Sequence, residues 1–231
     1  VLAIPDLSAL MNKLENGNQM ELTLIQKIAI YALPVIFAIT VHEAAHGYAA
    51  RYFGDMTAHL EGRITLNPLN HIDPIGTILI PALTMMLGGI LFGWAKPVPV
   101  DFGKLRNPKR DMLWVAAAGP ASNLVMAFLW ALVFSFAGHA PEFFIQPLTL
   151  MAQAGIMINV VLLVLNLLPL PPLDGGRIAV SLLPHHLAYQ FAKLERYGFI
   201  ILIVLLFTGV LYKIMMPLVS AVLWLIGAIT T

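Results

Sequence analysis

The chain has 231 residues, of which 59% are hydrophobic and only 11% charged, with a formal net charge of +1. Soluble domains carry about 25% charged residues, so this composition, with a mean hydropathy of +0.84, points to an integral membrane protein. The near-neutral charge excludes nucleic acid as a partner, because phosphate binding needs a basic surface. The absence of cysteine excludes disulfides and thiolate chemistry and leaves only His, Asp and Glu to hold a metal.

In chain order, residues 1–20 lack the basic start, apolar block and small-residue cleavage site of a signal peptide. A first apolar run at 24–50 is long enough to cross a hydrocarbon layer of about 30 Å. The connection at 51–73 contains HLEGRITLNPLNHIDP, in which Ile64, Leu66 and Leu69 only partly alternate. Its Thr, Asn and Pro residues predict short extended pieces rather than helix. The second run, 74–92, carries Pro81 and the pair Gly88 and Gly89, which weaken it as a simple span.

The loop at 94–111 contains GWAKPVPV and five cations, Lys96, Lys104, Arg106, Lys109 and Arg110. Runs at 112–137 and 147–168 follow, joined by a short loop without Lys or Arg, and the connection beyond carries Arg177, Lys193 and Arg196. By the positive-inside rule the cationic loops are cytoplasmic and residues 138–146 external. The last run, 198–226, is interrupted by Lys213 and Pro217 and reads as one long tilted helix or as a span followed by a shorter one. The expected fold is an all-α polytopic membrane protein with five or six membrane-embedded helices. It forms a single domain over 1–231, with a core at 24–183 and C-terminal helices at 196–227.

Inside the first run stands VHEAAHG, residues 41–47. On a helix, His42 and His46 lie one turn apart on one face and can share an ion, while Glu43 projects nearby. H-E-x-x-H is the arrangement of zinc peptidases, in which the glutamate is the general base for the attacking water. The bland alternative is that the histidines are polar glue between helices, but glue needs no glutamate beside two histidines at ligand spacing. Ionisable residues within membrane segments usually mark functional sites.

Two histidines leave a zinc site one protein ligand short. The best candidate for the third is Asp174 in NLLPLPPLDGG, residues 166–176. Three prolines stop the preceding helix, and Gly175 and Gly176 permit close backbone approach behind the carboxylate. Taken alone, Asp174 could equally cap a following helix at 176–183; alongside HEAAH the ligand role is favoured. His59, His71, His139, His185 and His186 read as loop or interfacial residues.

With these motifs the sequence resembles the site-2 protease family of intramembrane zinc metalloproteases, peptidase family M50. The resemblance rests on HEAAH at 42–46, GPASN at 119–123 against G-P-x-x-N, and NLLPLPPLDG at 166–175 against N-x-x-P-x-P-x-L-D-G. No segment reads as a PDZ or CBS module, so a compact branch of the family is expected. The resemblance implies one Zn2+ held by His42, His46 and Asp174, Glu43 as general base, Asn166 beside the site orienting substrate or the oxyanion, and Asn123 packed near the same core. It also implies a re-entrant β element, for which RITLNPLN and GWAKPVPV are the candidates, pairing with an extended segment of a transmembrane substrate. The expected location is a bacterial or archaeal cell (inner) membrane, crossed several times, with the active site toward the cytoplasmic side.

The ligand set constrains topology. For the end of the first run to meet Asp174, an even number of crossings must separate them, yet three apolar runs intervene. The run at 74–92 is therefore expected to enter the membrane and return on the same side. The competing function is a membrane metal-ion transporter using the same His/Asp site, against which stands the lack of internal repeats.

Overall fold

A computed structural model describes residues 23–79 and 95–230. The first helix, α1 (Leu24–Tyr52), opens on a capping box in which Thr23 and Gln26 satisfy each other's backbone N–H groups. A single turn, α2 (Thr57–Leu60), and a 3-10 turn at Pro68–His71 follow. The paired helices α3 (Pro108–Ala137) and α4 (Glu142–Leu167) form the centre of the fold. Beyond them come α5 (Asp174–Leu182), α6 (His185–Ala192), α7 (Glu195–Phe207) and α8 (Val210–Thr230).

Four stretches, Ile28–Tyr52, Pro108–Ala137, Glu142–Leu167 and Val210–Thr230, are long and apolar enough to cross a membrane. Their outward surfaces expose Leu129, Phe136, Phe143 and Trp224, as expected of helices solvated by lipid. The core lies where α3, α4 and α8 meet, built from Ala127, Ala131, Val160, Val164, Val219, Leu223 and Ile226. Small residues let these backbones approach closely in the absence of a hydrophobic driving force between helices. Gly155 on α4 makes room for a side chain instead, because a Cβ there would collide with the indole of Trp130.

Three expectations meet the structure differently. The break in the last run falls at Gly209, which adopts φ +72°, and divides α7 from α8. Pro217 stays within α8, so the chain turns where a glycine tolerates a left-handed backbone rather than at the proline. No strand forms among the described residues: RITLNPLN ends in the 3-10 turn, and residues 95–100 run without a ladder. Pro97 and Pro99 bring no N–H, which removes alternate ladder donors from that segment. Of the run at 74–92, only the π-helical turn Pro74–Leu79 is described, and its expected re-entrance lies outside the described residues. Helices α3 and α4 pack against each other, and the turn after α4 brings Asp174 to His42 and His46 of α1.

The connections around that end are tied by Asp55, a fully buried carboxylate. Its Oδ1 accepts from the Thr57 N–H and hydroxyl, and its Oδ2 accepts from the Asp101 N–H at 2.7 Å. Burial pushes the Asp55 carboxyl up, but the bonds from Thr57 and Asp101, helped by the charge of Lys104, outweigh it and hold the group below its ordinary value. A depressed folded-state pKa contributes stability above the unfolded pKa, and that contribution is lost as the pH falls through the folded value. Asp55→Asn is therefore expected to lower the thermal midpoint in detergent at neutral pH, with the gap to the parent protein narrowing as carboxylates protonate. A gap independent of pH would exclude this role for the charge.

Candidate metal centre

The site is assembled by α1, α3 and the start of α5. Helix α1 carries His42 and His46 on its buried face, 7% and 9% exposed. The third residue arrives from the prolyl turn. Gly175 and Gly176 lie so close to the backbone of residues 167–171 that no Cβ fits at either, and Gly198 of α7 likewise abuts Pro171. This packing seats the first turn of α5. Asp174 begins that helix, the N-cap position falls to Leu173 without a side-chain cap, and the Asp174 carboxylate turns to the histidines instead. The capping role weighed from sequence is not the one it plays.

Asp174 Oδ2 lies 3.2 Å from His42 Nε2 and 3.4 Å from His46 Nε2, and the two Nε2 atoms are 3.1 Å apart. A tetrahedral ion with bonds of about 2.0–2.1 Å has ligand atoms about 3.3 Å from one another. The three observed separations fit that geometry.

Protonation is set by the surroundings. His46 Nδ1 lies 2.7 Å from the Val115 carbonyl, which can only accept, so Nδ1 carries the proton. His42 Nδ1 lies 2.5 Å from Asn123 Oδ1. The Asn123 amide is oriented by its own partners, since its Nδ2 donates to the Ala38 carbonyl and to Asn159 Oδ1, and Asn159 Nδ2 donates to the Gly155 carbonyl. Each imidazole thus keeps its proton on Nδ1 and points an Nε2 lone pair inward. Two lone pairs and a carboxylate oxygen with no hydrogen-bond donor converge on one point. The donor set fits a zinc-like cation.

Helix α3 reaches the site at Gly119, where a Cβ would overlap the Nε2 edges of both histidines. Glu43 stands apart from the ligand set. Half-buried, it accepts a hydrogen bond at Oε2 from the Val98 N–H at 2.8 Å. Asn166, expected beside the site, donates from Nδ2 to the Leu162 carbonyl one turn back, with one amide N–H left over. Asn159, the Val115 carbonyl and the Val98 N–H were not foreseen from the sequence. Only Asn159 left a trace there, as a buried amide in an otherwise apolar run.

A model described as peptidase family M50 matches residues 143–209. "Putative zinc metalloprotease YwhC" of Bacillus subtilis is 41% identical over 83% of this chain and 83% of its own length. "Putative zinc metalloprotease Rip2" of Mycolicibacterium smegmatis is 34% identical over 77% of this chain and 66% of its own, and the Rip2 of Mycobacterium tuberculosis H37Rv is 30% identical over 74% and 63%. No solved structure matches.

Proposed function

The chain belongs to peptidase family M50 and is a multi-pass integral membrane metalloprotease; from this we propose that it hydrolyses peptide bonds within or near transmembrane segments of other membrane proteins. One observation carries the reading: His42, His46 and Asp174 converge on one cation position while the neighbouring carboxylate, Glu43, stays out of the ligand set.

His42, His46 and Asp174 hold one zinc ion, which when bound supplies the Lewis acid that polarises the scissile carbonyl and acidifies water. Glu43 takes the proton of the attacking water at Oε1 and passes it to the leaving amine, while Oε2 stays on the Val98 N–H. Asn166 has one amide N–H for the developing oxyanion. Asn123 and the Val115 carbonyl keep the imidazoles in the tautomer that faces the ion. A helical amide is shielded by its own hydrogen bonds, so the substrate segment unwinds and docks extended against the irregular backbone of residues 63–67 and 95–100. Lys96, Lys104, Arg106, Lys109 and Arg110 cluster at the ends of α1 and α3 that bear the site, which supports a site facing the cytoplasm. The bacterial relatives support a bacterial cell membrane as the location.

Glu43→Gln tests the assignment. It should retain metal and reduce cleavage of a dye-labelled single-span peptide in phospholipid vesicles by about 10²–10⁴-fold, the usual contribution of a general base. Parent-like cleavage by this variant would remove Glu43 from the chemistry. Zinc flux into such vesicles without any cleavage would replace the protease reading with transport.

A further inference from the structure

The peptide unit that holds Glu43 is itself held. Val98 lies between Pro97 and Pro99, so its N–H is the one backbone donor of residues 97–99, and it goes to Glu43 Oε2. The carbonyl of the same peptide unit, that of Pro97, accepts from the Arg63 guanidinium at 3.2 Å, as does the preceding Lys96 carbonyl, also at 3.2 Å. A peptide is planar, so fixing its oxygen fixes the direction of its N–H. The guanidinium also polarises that peptide and strengthens the bond its N–H makes to a carboxylate.

The rest of the segment is anchored on either side. The Lys96 N–H donates to the His71 carbonyl at 2.9 Å, and the Asp101 N–H to Asp55. His71, 2% exposed, is in turn fixed by its Nε2 on the Thr65 carbonyl. The buried Val98 side chain nests on α1 at Gly47, one turn beyond Glu43, where an added Cβ would stand 3.2 Å from Val98 Cγ1 and 2.9 Å from Ile64 Cγ1. The last residue of VHEAAHG therefore admits the strap that holds the second carboxylate of the site.

We propose that Arg63 is a positioning residue for the general base, acting through the Pro97–Val98 peptide as a polar relay between guanidinium and carboxylate. A direct Arg–Glu pair would occupy both carboxylate oxygens; the relay orients one and leaves Oε1 free for the proton. The inference rests on Glu43 being the base, and an active Glu43→Gln would defeat that reading separately from this one.

The test uses Arg63→Ala, Arg63→Lys, Val98→Pro and Val98→Ala in the full chain, with the same dye-labelled single-span peptide in vesicles. Arg63→Ala and Val98→Pro are expected to lower kcat about ten- to hundredfold, the scale of a misplaced catalytic group, with KM and bound zinc unchanged. Arg63→Lys, which can reach one carbonyl, should recover part of the loss, and Val98→Ala, which keeps the N–H, should lose less than Val98→Pro. In the zinc-free protein, hydrogen exchange of the segment around Val98 should quicken in Arg63→Ala. Parent-like kcat in Arg63→Ala, a kcat loss that tracks zinc loss, or equal losses in the two Val98 variants would overturn the proposal.

Discussion

Gly119→Ala is expected to remove metal from the protein while leaving the helices folded. Helix α3 passes the histidines at this residue, and a Cβ placed there overlaps His42 and His46 at their Nε2 edges. Such a clash would be cheap if the rings could swing away, but each is pinned at its far nitrogen, one on Asn123 and the other on the Val115 carbonyl. The methyl group therefore occupies the space in which the lone pairs meet the ion. A loss of at least about a hundredfold in metal affinity is expected, the upper end of what even indirect disturbance of a ligand costs, and cleavage should fall with it. Gly138→Ala is the control, since a Cβ there meets nothing within 4 Å. Elemental analysis and a chelator titration on both variants decide the matter, and parent-like zinc affinity in Gly119→Ala would place the metal elsewhere.

Asn123→Leu is expected to weaken metal binding about 10- to 100-fold and to lower stability by about 1–3 kcal/mol, the cost of stranding a buried polar group. Asn123 is fully buried, and its side chain meets three polar partners, His42 Nδ1, the Ala38 carbonyl and Asn159 Oδ1. Leucine removes the acceptor that keeps the His42 proton on Nδ1, so Nε2 loses its fixed lone pair. It also leaves Asn159 Oδ1 without its donor. Asn123→Asp separates these effects. It keeps an acceptor for His42 and places one oxygen against both the Ala38 carbonyl and Asn159 Oδ1, so stability should fall while metal affinity is better preserved. Thermal unfolding in detergent beside competitive chelator titration reads both quantities. A Leu variant that loses stability at unchanged metal affinity would show that Asn123 only packs.

The legible part of this protein was local. Residues four apart on one helix share a face whatever surrounds them, so HEAAH alone places His42 and His46 together as candidate ligands with Glu43 beside them. Proline and glycine restrict or free the backbone at their own positions, so PLPPLDGG announced a turn presenting Asp174. Hydropathy marked the spans α1, α3, α4 and α8 because transfer into lipid acts residue by residue. The break at Gly209 was less legible, since a glycine, a lysine and a proline within a few residues all compete as interruptions, and the backbone conformation that chooses between them depends on how α7 and α8 pack.

Local patterns of residues were enough to mark the chain as one that enters a membrane, and to single out His42, His46 and Asp174, with Glu43 beside them, as the candidate metal centre. What orients these side chains comes from contacts distant in sequence. The Val98 N–H reaches Glu43 across 55 positions, the Val115 carbonyl reaches His46 across 69, and Asn123 reaches His42 across 81. Two of these three contacts use main-chain groups, which every residue possesses and which leave no mark on side-chain identity. Whether a given N–H or carbonyl faces a site depends on where the helices and connections come to rest, and no local pattern of residues encodes that.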